Sequence, residues 1–227
     1  MNTKVSTLLL FFLSSLSAVF GQFKEAKDVS MEELMLETQF TTENPDKMSM
    51  IWWIPFEFWE VSNAQDPTAS FDEIAALKTM LEGYEVLAVV EGDIGYFGGI
   101  TYDTKENVLN STQIEYKGEM LLQVSEKKIN SDLANFFSMM KPMVVNMFGP
   151  MGENMHFVFF ENNNKSTVLP IDPKSSETVT FTLGTYVKEV TLPLNSMLLE
   201  KKCPIDKSLH SGKWSYCPFH GEKLIAQ

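Results

Sequence analysis

Apolar and polar residues alternate most plainly late in the chain. Thr178-Val-Thr-Phe-Thr-Leu183 and Tyr186-Val-Lys-Glu-Val-Thr-Leu192 keep the period of two of a strand with one wet face, and Gly184-Thr185 between them reads as a hairpin turn. Met50-Ile-Trp-Trp-Ile54 and Glu85-Val-Leu-Ala-Val-Val90 are instead unbroken apolar runs, as strands buried on both faces require. Residues 112–116 and 119–124 predict another antiparallel pair turning at Lys117-Gly118, and residues 156–160 a further strand.

Helical spacing appears in four places. Ile74, Leu77 and Leu81 predict a helix over 73–82, with Asp72 as cap and Gly83 at its exit. Pro55 opens a short helix over 56–61. Ser30 and Glu33 match a capping box for a helix near 31, an extended arm being the alternative. The longest helix runs over 132–147 from a cap at Asn130 or Ser131, and Pro142 predicts a kink or break near Lys141. On that helix Phe136, Met140, Met143, Val144 and Met147 share a face that predicts core. The fold class is therefore α+β: an antiparallel or mixed sheet with two or three packed helices.

Composition then narrows the setting. After Lys4 the chain runs apolar to Gly21, which reads as a secretory signal peptide over residues 1–21, with Val19 and Gly21 before the cut. A globular domain over 22–200 follows, and then a small module over 201–227. The expected destination is the periplasm or the exterior, with no membrane partner after cleavage. A net charge of −12 disfavours nucleic acid and anionic surfaces, which reward clustered Lys and Arg.

Most chemistry-bearing motifs of the body have plainer readings. The glycines of Glu91-Gly-Asp-Ile-Gly-Tyr-Phe-Gly-Gly99 lead into a strand rather than a helix N-terminus, so they predict a hairpin and not a phosphate cradle. Glu57 and Glu60 lie on neighbouring positions of one helix face amid aromatics, where burial would raise a carboxyl pKa, and Glu57 with Asp93 is the carboxylate pair a hydrolase would use. Met139, Met140, Met143, Met147, Met151 and Met155, followed by His156, offer thioether and imidazole to copper, against the reading of core packing with a structural histidine. No hydrolase, metalloprotease or nucleotide-binding fingerprint is present.

The tail is different. Cys203-Pro-Ile-Asp206-Lys is answered by Cys217-Pro-Phe-His220-Gly, and these are the only two cysteines. A Cys-Pro-x-ligand turn points positions i and i+3 at one ion, so Cys203, Asp206, Cys217 and His220 make a candidate tetrahedral set. Over residues 203–224 the stretch resembles a degenerate zinc ribbon, with Asp206 where a cysteine would stand and Lys207 where a glycine would stand. Ser211-Gly212 reads as the hairpin turn, and His210 as a surface residue on its arm. Zinc is the expected cofactor; a Cys203–Cys217 disulfide is the competing reading in an oxidising compartment. The organisation as a whole resembles exported bacterial proteins that end in a ribbon, a likeness that implies no activity. The expectation is a non-enzymatic exported protein whose tail stabilises it or serves a protein partner. Zinc or copper handling and a carboxylate hydrolase are the alternatives.

Overall fold

The computed structural model describes residues 23–162 and 169–226. The expected signal peptide and most of the polar loop beginning at Asn162 lie outside the described residues. The chain falls into two compact units: Lys24–Leu198, and Phe23 with residues 199–226.

In the large unit the strands are β1 (Gln39–Thr41), β2 (Lys47–Trp53), β3 (Glu85–Ile94), β4 (Ile100–Tyr102), β5 (Thr112–Tyr116), β6 (Glu119–Met120), β7 (Leu122–Val124), β8 (His156–Glu161), β9 (Thr178–Leu183) and β10 (Tyr186–Thr191). The helices are α1 (Met31–Thr38), α2 (Phe56–Gln65), α3 (Phe71–Leu81), α4 (Lys105–Ser111), α5 (Ser131–Phe148) and α6 (Pro150–Asn154). One sheet has the order β1-β2-β3-β8-β7 with β4 also on β3; the other has the order β10-β9-β5-β6. Every pairing in both sheets is antiparallel, so the α+β class holds with its sheets purely antiparallel.

Register explains the layering. Trp52 pairs with Ala88, and Ala88 with Phe157, so these three share one face of the first sheet. That face meets the helices: Trp52 lies edge-on to Phe58 of α2 at 5.4 Å, and Phe157 is 4.8 Å from Phe137 of α5. Trp53 points the other way, to Phe181 of the second sheet at 5.4 Å, and Phe40 stacks on the same ring at 5.7 Å. Trp52, Trp53 and Phe181 are all fully buried. The unbroken apolar run of β2 is thus what a strand between two layers needs.

Several expectations change in detail. Residues 119–124 are two strands, since β6 pairs with β5 while β7 pairs with β8 of the other sheet. The chain changes sheets at Leu121, which is buried and donates its amide to Ile114 O at 2.9 Å. The cap of α3 is Ser70, not Asp72: Ser70 Oγ accepts from the Glu73 amide at 3.2 Å, and the Glu73 carboxylate accepts from the Ser70 amide at 3.1 Å. Helix α5 runs through Pro142 without a break. Its buried residues are Leu133, Phe137 and Val144, while Met139, Met143 and Met147 are exposed. The aromatic ring of Phe137, packed on Phe157 and Phe159, sets which side faces the sheet, and it rotates those methionines into solvent. Helix α4, capped by Thr104 Oγ1, has too short and polar a sequence to have been expected. No helix among the described residues is long and apolar enough to cross a membrane.

Candidate metal centre

In the small unit, β11 (Lys201–Lys202) pairs with both β12 (Leu209–His210) and β13 (Ile225–Ala226). The hairpin module is present, but its arms are not those the turn at Ser211-Gly212 suggested. Lys201 pairs with His210 across the first Cys-Pro turn, and Tyr216 bridges Lys223 across the second. Each knuckle closes its own hairpin.

The two knuckles repeat one another bond for bond. Lys207 donates its amide to Cys203 O at 3.1 Å, as Gly221 does to Cys217 O at 2.9 Å. The Cys203 amide donates to Ser208 O at 2.9 Å, and the Cys217 amide to Glu222 O at 2.8 Å. Both turns exit through the left-handed region, Gly221 at φ 68° and Lys207 at φ 65°. The first knuckle therefore keeps the turn geometry although Lys207 replaces the glycine that suits it.

This geometry brings sulfur and nitrogen together. One ligand atom each from Cys203, Cys217 and His220 lies within 4.8 Å of the other two. His220 Nδ1 is 3.5 Å from both Cys203 Sγ and Cys217 Sγ. Ligands of a tetrahedral zinc, with bonds of about 2.3 Å to sulfur and about 2.0–2.1 Å to nitrogen, stand about 3.5 Å apart, so the spacing fits such an ion. Both cysteines are buried and free rather than joined in a disulfide. These three residues are close enough to hold a metal ion.

The local field acts on the two thiols in opposite directions. Burial pushes both thiols up, while backbone N–H groups two and three residues on turn back toward each sulfur. At Cys217 the amides of Phe219 and His220, the His220 ring and the Cys203 thiol outweigh burial and bring the group to about 6. At Cys203 burial, reinforced by the Asp206 carboxylate and Cys217, holds the group above the ordinary thiol value.

Asp206, the remaining member of the expected set, does not join this group of three. Its Oδ1 accepts from the Ser208 hydroxyl at 2.6 Å and the Ser208 amide at 3.0 Å, bonds that hold the carboxyl well below the usual carboxylate range. His210 also departs from expectation. It is buried rather than on the surface, and its Nε2 lies 3.5 Å from Cys217 Sγ. Sequence reasoning passed over it because it sits outside the repeated Cys-Pro pattern; its place seven residues from each cysteine was the available signal.

In the large unit Glu57 and Asp93 do not converge. Asp93 is exposed at the far end of β3 and pairs with Lys47 at 2.7 Å. Glu57 is buried and electrostatically coupled to Glu85, at the other end of the same strand and roughly 26 Å from Asp93 at the usual rise per residue. Glu85 accepts from Trp53 Nε1 at 2.6 Å and from the Ile171 amide at 3.2 Å. Glu57 has Lys174 Nζ at 3.8 Å from Oε1, while Oε2 is buried without a hydrogen-bond partner. Burial raises Glu57 to about 7 and Glu85 to about 8. His156 is half-buried at the start of β8, where burial and then Lys141 hold its ring below the ordinary histidine value.

Compared with models of protein families, with curated proteins and with solved structures, the chain matches none of them.

Proposed function

We propose that this is an exported, non-enzymatic binding protein whose C-terminal module is held together by a structural zinc ion. The observation that carries the reading is the convergence of Cys203 Sγ, Cys217 Sγ and His220 Nδ1, with sulfur-to-nitrogen distances of 3.5 Å, the two cysteines buried and His220 closing the group from the exposed side. Chemistry of the donor set favours zinc over harder cations, which prefer oxygen. The module has little else to fold around: its buried cluster is Cys203, Cys217 and Leu224.

An interaction role is supported by what the module leaves outside. Trp214, Tyr216 and Phe219 are exposed at 47%, 62% and 80%, a density of wet aromatics uncommon on a surface without a partner. Glu57 and Asp93, the pair on which the hydrolase reading rests, stand apart toward opposite ends of β3.

The test is metal content and free-thiol count on mature protein taken from its native compartment. One zinc per chain, with two thiols titrating once the metal is chelated, supports the reading. A mass showing two hydrogens lost and no bound metal means a Cys203–Cys217 staple and sinks it.

A further inference from the structure

We propose that His210 is the fourth ligand of this site and that Asp206 is not, so that the module closes around its ion with two sulfurs and two imidazole rings. The inference rests on the metal reading above and goes beyond it, because it assigns a residue that the repeated Cys-Pro pattern does not mark.

Strand β12 makes the first argument. Its two residues alternate as a strand must, but with the usual preference inverted: Leu209 is 49% exposed while His210 is 9% exposed. Turning an aliphatic side chain to water and a ring with two polar nitrogens inward costs free energy unless the ring has work to do inside. The β11 pairing fixes that orientation, since Lys201 opposite His210 and Lys202 opposite Leu209 leave no freedom of register.

Distance makes the second. His210 Nε2 is 3.5 Å from Cys217 Sγ, the same separation at which His220 Nδ1 stands from both sulfurs. It is also the separation of about 3.5 Å that two ligands of one tetrahedral zinc show. His210 stands outside the three whose ligand atoms already lie within 4.8 Å of one another, so binding must draw its ring further toward Cys203 and His220.

The surroundings hold the ring for that movement. The ring stacks on Trp214 with centroids 5.8 Å apart and planes at 28°, and Phe219 lies 6.2 Å away. Ser208 Oγ touches Nε2 at 2.9 Å. The Ser208 contact falls on the same Nε2 that faces Cys217, so the ion replaces it when it binds. Asp206 Oδ1 accepts from both the hydroxyl and the amide of Ser208, and no carboxylate oxygen of Asp206 joins the group formed by Cys203, Cys217 and His220. A set of two cysteines and two histidines leaves no position for water or substrate, which is the pattern of structural zinc rather than catalytic zinc.

The test is zinc-edge X-ray absorption on the full mature chain carrying one equivalent of zinc, with zinc affinity measured by chelator competition for wild type, His210→Ala and Asp206→Asn. Two sulfurs and two imidazole rings are expected in wild type and in Asp206→Asn. In His210→Ala, one imidazole is replaced by a light oxygen scatterer and affinity falls at least about tenfold. Two sulfurs and a single imidazole in wild type, with His210→Ala binding as tightly, overturn the inference and leave the metal reading standing. A wild-type chain that takes up no zinc overturns both. The wild-type spectrum decides the question even where His210→Ala fails to fold.

Discussion

The two units of this chain solve the same problem with different materials. The large unit buries Trp52, Trp53, Phe160, Phe181 and a full set of aliphatic side chains between two sheets and a helical layer. The small unit buries two cysteines, a leucine and a histidine, and leaves Ile205, Leu209, Trp214, Tyr216, Phe219 and Ile225 in water. In the first, stability scales with apolar area removed from solvent, at roughly 25 cal/mol per Å². In the second there is little such area, and on the proposed reading cohesion comes from bonds to a shared ion. Hydrophobic residues exist in both, but the small unit turns few of them inward.

The largest expected effect follows from that contrast. Cys217→Ser, or zinc removal by a strong chelator, should unfold the small unit, because structural zinc supplies about 10–16 kcal/mol of apparent binding energy to domains of this size. The near-ultraviolet signal of Trp52 and Trp53, both fully buried in the large unit, should remain. Amide exchange measured with and without metal checks both halves. If protection in residues 201–226 survives metal removal, the module has a core of another kind and the comparison breaks.

How much of this could be read from the sequence differs between the units for a physical reason. Strands β2 and β3, the β9–β10 hairpin and helix α5 were legible because burial against a large core imposes a period on the side chains. Where the core does not decide, the pattern went silent. Residues 119–124 alternate equally well as one strand or as two half-strands on different sheets, and only the burial of Leu121 at the crossing separates the cases. On α5 the pattern named a face but not which apolar residues would win it, and Phe137 displaced the methionines. In the small unit the repeat of Cys-Pro marked three of the converging residues. The pairing of Lys201 with His210, which turns a histidine inward, is a property of the folded backbone, and the sequence marks His210 only by its spacing of seven from each cysteine.

The large unit carries its own exception to hydrophobic cohesion, the buried carboxyl groups of Glu57 and Glu85. Both folded-state values, about 7 and about 8, lie above the 4.5 of the free side chain, with burial the first cause in each case. Between pH 4.5 and these values the folded protein holds protons that the unfolded chain has released. Stability therefore falls as pH rises through that window and levels off above it. Glu57→Gln should remove part of the slope and raise stability at pH 8 by on the order of 2–3 kcal/mol. Denaturant unfolding of the large unit across pH 4 to 9 provides the check. A stability that rises between pH 5 and 7, as ion-paired surface carboxylates would give, contradicts the burial of Glu57.

The smallest effect probes the symmetry of the two knuckles. They share their hydrogen bonds and a left-handed exit residue, yet one exit is Gly221 at φ 68° and the other Lys207 at φ 65°. A side chain in that region costs roughly 1–2 kcal/mol, and the extra freedom glycine gives the unfolded chain returns about 0.4–1 kcal/mol of it. The Lys207 ammonium also donates to Pro204 O at 2.6 Å, an exposed bond of small net worth. Lys207→Gly should therefore stabilise the metal-bound module slightly, by about 0.5 kcal/mol, read as roughly a twofold gain in zinc affinity. Gly221→Ala, which places a side chain at the matching position, should move the same measurement the other way by about 1 kcal/mol. Two knuckles built on one plan must respond with opposite signs. If Lys207→Gly weakens zinc binding instead, its lysine contributes something the second knuckle lacks, and the bond-for-bond likeness would not extend to their energetics.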